Sequence, residues 1–266
     1  MRVLSLFDGI GVGREALKHH EVEYFASEIC PHAIEVCRSN HPTVVHVGDV
    51  RALSPSDFPD IDLMLAGPPC QGLSRAGQQR GLDDDRSCLF WEFVRLLRGV
   101  RPRWWLMENV CMSKDVQAII SRELGVRPIA VNSRLVSCQN RPRLYWTNIP
   151  QTVIEDRGIT LTSVIGPYDH LLVVPRGWNR GGRKRYRGDK APCVTTSSWQ
   201  HNFHVVQGGV KRKFTPEEAE AFQTLPRGYT SAASASRRYQ LLGNAWTLTV
   251  VCELLYAIMP RISPSL

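Results

Sequence analysis

A cysteine that follows two prolines is the first residue whose context indicates chemistry. The block reads GPPCQGLS at 67–74 and comes directly after the apolar run 61–66. Proline stiffens the backbone, and a cysteine thiolate, favoured by nearby positive charge, is a strong nucleophile. The other cysteines of the chain lack this context and are expected to be inert thiols. We therefore predict that Cys70 is a nucleophile at the edge of a cleft.

An acid and two arginines follow further along the chain. ENV at 108–110 comes after the apolar run RWWLM, where a carboxyl group could share a proton with a substrate. Arg141 and Arg143 alternate within QNRPRLYW at 139–146, so on a strand both would point to one face. Two guanidinium groups there could hold a phosphate or carboxylate, or orient a catalytic acid. Taken singly, each of these residues is equally compatible with a solvated surface.

A glycine-rich turn and two acids indicate a cofactor. FDGIGVG at 7–13 lies between a predicted strand and a predicted helix, where glycine lets the backbone approach a ligand closely. Glu28 and Asp49 each follow a later strand, and carboxylates there can accept hydrogen bonds from a ribose diol or an adenine amino group. Either acid alone would be assigned to a solvated loop. Three consecutive strand ends together favour an adenosine-containing cofactor, whereas the departure from GxGxxG disfavours a nicotinamide dinucleotide.

Alternating strands and helices must position these groups. The predicted strands are 2–7, 23–27, 44–47, 61–66 and 103–107, and the predicted helices of the first half are 14–19, 31–39 and 87–98. This order predicts an α/β fold, a doubly wound and mostly parallel Rossmann-like sheet that binds ligands beyond its carboxyl ends.

The pattern of residue types changes after about residue 150. A basic Gly/Arg segment at 175–190 and a β-rich segment predict a smaller lobe, followed by helices at 216–222 and 247–258. We expect a catalytic and cofactor-binding domain at 1–155, completed by 240–266, and a small basic target-recognition lobe at 156–239.

Composition narrows the class of protein. The chain has 266 residues and a formal net charge of +8, which suggests a polyanionic partner. No apolar run approaches the length of about 18 residues that a membrane span needs, so we expect no membrane. The eight cysteines show no CxxC pairing, and the N-terminus lacks the pattern of a signal peptide, so we expect a cytosolic protein.

In this order, the blocks resemble the cytosine carbon-5 methyltransferase family, which uses S-adenosylmethionine. The matching blocks are LFDGIGVG, the acid Glu28, GDV at 48–50, GPPCQGLS, ENV, QNRPRLYW and LLGNAWTLTV, and they span almost the whole chain. Within the family, SLFDGIGVG, YWTNIP and RRYQLLGNAW are most similar to the animal de novo DNA methyltransferases, with PPC in place of SPC. The size of a bare catalytic domain suggests a bacterial or viral enzyme.

The resemblance implies a DNA (cytosine-5-)-methyltransferase that flips its target base out of the duplex. Cys70 would attack carbon 6 of the cytosine, and Glu108 would contact ring nitrogen 3 and the amino group. Carbon 5 then becomes nucleophilic enough to take the methyl group. Arg141 and Arg143 would contact the flipped nucleotide and its phosphate, with Arg143 nearest the base. This chemistry requires no metal.

The resemblance also implies the cofactor site. Glu28 would hold the ribose hydroxyls and Asp49 would read the adenine amino group, while Phe7 would stack on the adenine or lie beside the methionine. The expected cofactor-binding residues are Phe7, Asp8, Gly9, Ile10, Gly11, Glu28, Ile29, Asp49, Val50, Pro69, Asn244 and Trp246, with the last two closing over the methionine end.

Double-stranded DNA is the expected partner, held by the basic lobe and by the loop beside Cys70. The expected DNA-binding residues are Gln71, Ser74, Arg183, Lys184, Arg185 and Arg187, with Arg176, Arg180 and Lys190 as further phosphate contacts. The expected base readers include Trp199, Gln200 and Asn202. A short lobe favours a short target such as CG.

Three other functions are compatible with parts of the sequence. One branch of the family keeps these motifs and modifies transfer RNA, and a silent DNA-binding homologue would retain the fold without activity. An exocyclic amino-group methyltransferase is disfavoured, because an aromatic residue would be expected where Cys70 stands. We expect action in the cytoplasm of a bacterial or phage-infected cell, in association with the nucleoid. A separate cognate restriction nuclease is a possible partner, and protective or regulatory roles stay open.

Overall fold

The computed structural model describes residues 1–58, 60–69, 88–151, 153–173, 184–196 and 203–259. A seven-stranded sheet forms the centre of the first part of the chain, in the order β3-β2-β1-β4-β5-β7-β6. Its strands are β1 Arg2–Leu6, β2 Glu23–Ser27, β3 Val45–His46, β4 Leu63–Ala66, β5 Trp104–Val110, β6 Ile129–Asn132 and β7 Pro142–Thr147.

Five neighbouring strands of this sheet run parallel, and only β7 and its pairings are antiparallel. β1 pairs with β2 and β4, β2 with β3, and β4 with β5, all in parallel, whereas β7 runs antiparallel to both β5 and β6. The predicted α/β fold with a mostly parallel sheet is therefore confirmed. The carboxyl ends of β1 to β5 meet at one edge, as the argument for a cofactor site requires.

Helices cover both faces of the sheet. They are α1 Val12–Ala16, α2 Pro31–Asn40, α3 Cys88–Val100, α4 Lys114–Leu124, α5 Thr162–Ile165, α6 Pro216–Phe222, α7 Ala235–Asn244 and α8 Leu248–Leu255. Met64 and Ala66 of β4 pack with α3 and α4, while Leu63 and Leu65 pack with the side of α8. Side chains of a strand point alternately to opposite faces, so a strand covered on both faces is apolar at every position, as LMLA is.

The lobe has its own antiparallel sheet. Its strands are β8 His170–Val173, β9 Lys184–Tyr186, β10 Phe203–Gln207 and β11 Val210–Arg212, in the order β11-β10-β8-β9. Phe203 stacks on Phe214 with ring centroids 4.6 Å apart, and Tyr239 of α7 meets Phe214 edge-on at 5.3 Å. The same buried cluster includes Ile10 and Val12 of the glycine-rich turn. The lobe core is therefore continuous with the segment that shapes the first domain's ligand edge.

The apolar C-terminal helix packs on the first domain. The stretch Ala235–Ile258 is, by length and composition, the one candidate for a membrane span within the described residues, and half of its apolar window is buried in the protein. Ala245 is extended (φ −66°, ψ 151°), which separates α7 from α8. Val250, Val251 and Leu254 lie in the core beside the sheet, so α8 serves as a core helix.

Several elements have the predicted bounds, and others differ. β2 and α6 begin and end where the sequence predicted. β5 extends three residues beyond the expected end, because β7 pairs with it from Leu106↔Thr147 to Val110↔Arg143. We had expected Glu108 to follow the strand, but it lies within β5. The sequence did not predict β6, α4 or α7.

Gly243 of α7 marks the closest approach between the helix and the lobe. A Cβ atom at this position would lie 2.3 Å from the carbonyl carbon of Thr195 and 2.3 Å from the amide nitrogen of Thr196. Both neighbours are backbone atoms, which cannot rotate away.

We predict that Gly243→Ala lowers the free energy of unfolding by about 1–2 kcal/mol. Overpacking typically costs about 1–3 kcal/mol, and contact with two backbone atoms puts this site in the upper part of that range. The gain of about 1 kcal/mol that alanine brings to a helix interior offsets part of the cost. Urea unfolding measures the effect. The control is Ser236→Ala on the exposed side of α7, which should change the free energy by less than about 0.5 kcal/mol. Equal stability of Gly243→Ala and the parent protein would contradict the close approach.

Candidate functional site

A pocket of about 680 Å³ opens at the carboxyl ends of the parallel strands. Its volume lies within the range of about 300–1,000 Å³ that is typical of small-molecule sites. It is lined by Phe7, Asp8, Gly9, Ile10, Val12, Ser27, Glu28, Ile29, Cys30, Ala33, Asp49, Val50, Arg51, Gly67, Pro68, Pro69, Leu89, Glu108, Asn109, Val110, Arg141, Arg143, Leu241, Gly243, Asn244, Ala245 and Trp246.

The glycine-rich turn forms one wall through an unusual backbone. Phe7 has φ 58°, a left-handed value that is uncommon for a residue with a side chain, and Gly9 and Gly11 have φ 62° and 81°. A Cβ atom at Gly11 would lie 2.8 Å from Sγ of Cys37, so helix α2 supports the turn from behind. Gly11 was expected among the cofactor contacts, but it is not among the lining residues because it faces α2.

Asp8 carries a carboxylate that is held by neutral donors. Its Oδ1 accepts a hydrogen bond of 2.7 Å from the Tyr24 hydroxyl, and its Oδ2 lies 3.8 Å from Sγ of Cys37. Burial raises the pKa of Asp8 to about 6, although these donors oppose the shift. Asp8 also lines the pocket. A cationic ligand in the pocket would therefore lower the pKa of Asp8 and favour its ionised form.

Glu28 joins the turn to the start of α2. Its Oε2 accepts from the Gly9 amide at 2.8 Å, and its Oε1 accepts from the amides of Ile29 and Cys30, each at 2.8 Å. A carboxylate has about four lone-pair sites, so one acceptor position is left towards the pocket. Glu28 thus fixes the turn and can still accept a hydrogen bond from a hydroxyl.

Asp49 has a neighbour that sequence reasoning missed. Both of its carboxylate oxygens accept from the Arg51 guanidinium, and Oδ1 also accepts from the Arg51 amide at 3.0 Å. These hydrogen bonds lower the pKa of Asp49. Arg51 lines the pocket as well, so the acid that we expected to read an amino group is part of an ion pair.

Glu108 is oriented by two donors from distant segments. Its Oε1 lies 2.8 Å from Nε of Arg143, and its Oε2 accepts a longer bond of 3.3 Å from Nε1 of Trp246. Trp246 in turn covers Gly67, where a Cβ atom would lie 3.1 Å from Nε1 of the indole ring. Trp246 was expected at the methionine end of a cofactor, and the structure places its indole nitrogen against the acid.

Arg141 differs from its expected role. Its guanidinium is buried and donates to the carbonyl oxygens of Val194, Gly243 and Ala245 at 2.8, 3.0 and 2.8 Å, and to Sγ of Cys193 at 3.2 Å. Burial and the nearby Arg143 lower the pKa of Arg141. Because its terminal nitrogens are used within the protein, Arg141 is a positioning residue and not the phosphate contact that we expected. Strand β7 begins only at Pro142, so the alternation argument did not apply to it.

The thiol of Cys193 completes this cluster and was not predicted to be special. Burial acts to raise the pKa of Cys193, but the guanidinium groups of Arg141 and Arg143 outweigh it and lower the pKa. A PC dipeptide next to a basic segment is the only sequence signal that could have indicated it.

The other expected residues fall into three groups. Cys70, Gln71, Ser74 and Arg183 lie outside the described residues, as do Arg176, Arg180, Trp199, Gln200 and Asn202. Pro69, the residue before Cys70, lines the pocket. Lys184, Arg185 and Arg187 are exposed on and just after the edge strand β9 of the lobe, and they are not among the residues that line the pocket.

Lys190 is a correction to the expected set of phosphate contacts. Its side chain is buried, and Nζ donates to the carbonyl oxygens of Arg134, Ser137 and Ile159. This lysine binds the first domain to the lobe, because its three N–H groups are satisfied by backbone acceptors from two segments.

A comparison with protein families matches nearly all of the chain. The model for the C-5 cytosine-specific DNA methylase family matches residues 1–117 and 139–261. The Type II methyltransferase M1.ScrFI of Lactococcus lactis subsp. cremoris is 39% identical over 293 residues, which covers 92% of this chain and 74% of that protein.

Two further similarities support less, because one covers a short segment and the other has low sequence identity. The Type II methyltransferase M.NlaIV of Neisseria lactamica is 43% identical over 86 residues, so the match covers 32% of this chain and only 20% of that relative's length. The solved structure of the Entamoeba histolytica methyltransferase EhMeth covers 97% of this chain with a TM-score of 0.73 at 17% identity. At this identity the likeness concerns the fold.

The raised pKa of Asp8 predicts a pH-dependent stability. The folded protein binds this proton more tightly than an unfolded chain does, where the pKa is 3.8. The stabilising contribution is therefore complete below about pH 4 and is lost as the pH rises through about 6.

We expect wild-type protein to lose about 1 kcal/mol of unfolding free energy, relative to Asp8→Asn, between about pH 5 and pH 8. Urea unfolding of both proteins at the two pH values measures this difference. A difference between the two proteins that stays constant with pH would contradict a protonated Asp8 at low pH.

Proposed function

The chain belongs to the C-5 cytosine-specific DNA methylase family, and from that premise we propose that it transfers a methyl group from S-adenosylmethionine to carbon 5 of a cytosine in duplex DNA. The family and the fold are those of S-adenosylmethionine-dependent methyltransferases. One observation carries the proposal. The Glu108 carboxylate is held between Arg143 and Trp246 in a pocket whose wall includes Pro69, directly before Cys70.

The residues at the glycine-rich turn fit the proposed cofactor. S-adenosylmethionine carries a ribose diol, an adenine, an ammonium group and a sulfonium, and this end of the pocket offers carboxylates and apolar surface. Glu28 keeps an acceptor position for a hydroxyl, and Asp8 is a carboxylate that a nearby cation would help to ionise. Phe7, Ile29 and Val50 supply apolar surface for a flat ring. When bound, the cofactor supplies an electrophilic methyl group.

The chain's residues would act on the base in sequence. The Cys70 thiolate forms a bond to carbon 6, and the electron pair of the double bond between carbons 5 and 6 moves into the ring. Glu108 gives a proton to nitrogen 3, which neutralises this charge, and accepts a hydrogen bond from the amino group. Arg143 and Trp246 fix the orientation of its carboxyl group. Carbon 5 would take the methyl group from the sulfonium, which leaves S-adenosylhomocysteine as a neutral thioether. Carbon 5 would then lose its proton to a base, the double bond between carbons 5 and 6 would return, and Cys70 would leave as a thiolate.

The base must leave the duplex to reach this pocket, which costs a few kcal/mol. Phosphate contacts from the basic lobe would offset that cost, with the exposed Lys184, Arg185 and Arg187 as contributors. We propose residues 1–155 with 240–266 as the catalytic domain and 156–239 as the target-recognition lobe, acting on DNA in a bacterial cytoplasm.

The experiment measures methyl transfer from labelled S-adenosylmethionine to mixed-sequence duplex DNA and to total RNA. We expect DNA labelling by the wild-type protein that disappears in Cys70→Ser, and bisulfite sequencing of the product then identifies the target. Labelling of RNA alone would reassign the chain to the transfer-RNA branch. No transfer to either, with cofactor and DNA still bound, would indicate a silent homologue.

We predict that Glu108→Gln lowers kcat by about 10²–10⁴-fold, the usual contribution of a positioned acid or base. The amide keeps the contact geometry but cannot give a proton to nitrogen 3. Initial rates at saturating DNA and cofactor measure the loss. Glu35→Gln, on the exposed side of α2, removes the same charge elsewhere and should leave the rate unchanged. Equal rates for Glu108→Gln and Glu35→Gln would contradict the role of Glu108.

A further inference from the structure

Tyr229 contacts the glycine-rich turn from outside the pocket. Its hydroxyl donates to the carbonyl oxygen of Ile10 at 3.0 Å and approaches that of Gly11 at 3.3 Å. Tyr229 is buried, and it is not among the residues that line the pocket, whereas Ile10 is. A residue far along the chain therefore holds the backbone of the turn on the side opposite the ligand.

The C-terminal end of α2 fixes the hydroxyl and the backbone of this tyrosine. Nε2 of His41 lies 3.1 Å from the Tyr229 hydroxyl and 3.3 Å from Oε2 of the buried Glu15. The tyrosine proton is given to Ile10, so the tautomer of His41 that carries its proton on Nε2 would donate to the hydroxyl oxygen. Asn40 donates to the Tyr229 carbonyl at 2.8 Å. Burial lowers the pKa of His41, while Glu15 opposes this shift and Arg14 and Lys18 add to it.

The lobe core fixes the residues on both sides of Tyr229. The fully buried carboxylate of Glu220, in α6, accepts from the Gly228 amide at 2.6 Å and from the Thr230 amide at 2.8 Å. Arg238 of α7 pairs with the same carboxylate at 2.8 Å. Gly228 and Thr230 flank the tyrosine, so its position follows that of α6 and α7.

We propose that Tyr229 is a positioning residue that ties the lobe core to the glycine-rich turn and sets the turn's affinity for its ligand. Three anchors fix this residue: His41 and Asn40 at the end of α2, Glu220 of the lobe through the neighbouring amides, and the turn through Ile10. The inference rests on the proposed function, since the ligand of the turn is taken to be S-adenosylmethionine or its product. It adds a residue outside the pocket to those that determine cofactor binding.

The test compares two matched tyrosines by calorimetric titration with S-adenosylhomocysteine. Tyr229→Phe removes the hydroxyl on the turn, and Tyr239→Phe removes one that donates to the Phe214 carbonyl at 2.5 Å inside the lobe core. Both variants lose a buried tyrosine–carbonyl hydrogen bond, so both lose similar stability. We expect Tyr229→Phe to raise the Kd about fivefold to tenfold, the equivalent of one net hydrogen bond. Tyr239→Phe should leave the Kd within about twofold.

A kinetic measurement and a second pair of variants complete the test. For Tyr229→Phe, the KM for S-adenosylmethionine should rise while kcat at saturating cofactor stays within about twofold of wild type. His41→Leu, which lacks the donor, should weaken binding similarly, and His41→Gln, which keeps an N–H, should restore most of it. This pair decides the question if Tyr229→Phe does not fold.

The outcomes separate this inference from the function on which it rests. Binding that is weakened in Tyr229→Phe and retained in Tyr239→Phe supports the inference. Wild-type protein that binds S-adenosylhomocysteine, together with equal affinity in both tyrosine variants, overturns the inference and leaves the proposed function intact. Wild-type protein that does not bind the ligand overturns the proposed function itself.

Discussion

A guanidinium group buried among backbone carbonyls is the constraint on which the rest of the site depends. A buried charge is costly unless its hydrogen bonds are satisfied, and Arg141 satisfies them with the carbonyls of Val194, Gly243 and Ala245. These acceptors come from the lobe and from the C-terminal end of α7 with the residue that follows it. The arginine therefore fixes the position at which its own segment, the segment of Val194 and the segment of Ala245 meet. Trp246 follows Ala245 directly, and its indole nitrogen is thereby placed within reach of Glu108.

The side-chain amides of two buried glutamines add further hydrogen bonds that involve the same segments. Gln139 donates to the Phe222 carbonyl and accepts from the Val194 amide, while Gln223 donates to the Leu242 carbonyl and accepts from the Thr247 hydroxyl. All of these polar groups lie inside the protein, so each must keep its partner. Two carboxylates of the pocket also bind neighbouring protein groups while they line the pocket. Glu28 holds the turn and Asp49 holds Arg51, and each also faces the ligand.

Strand ends converge in a parallel sheet, which explains why residues located from separate local patterns line one pocket. Phe7, Glu28, Asp49 and Glu108 were each located from a local pattern, and the sheet brings them together. Contacts between residues that are far apart in the chain could not be predicted from local sequence patterns. The acceptors of Arg141 lie more than 50 residues away in the chain, and nothing near QNRPR indicates them. Lys190 was grouped with a basic run, although its burial depends on carbonyls of the first domain.

Cys70 is proposed to form a covalent bond to carbon 6 of a cytosine that Glu108 holds. A duplex that carries 5-fluorocytosine tests it most directly, because carbon 5 then has no proton to lose and the adduct cannot resolve. Incubation of a mixed-sequence duplex with the protein and S-adenosylmethionine, followed by denaturation and mass spectrometry, should yield a one-to-one complex linked at Cys70. A complex linked at another cysteine, or no covalent complex in a protein that methylates the unmodified duplex, would contradict the account.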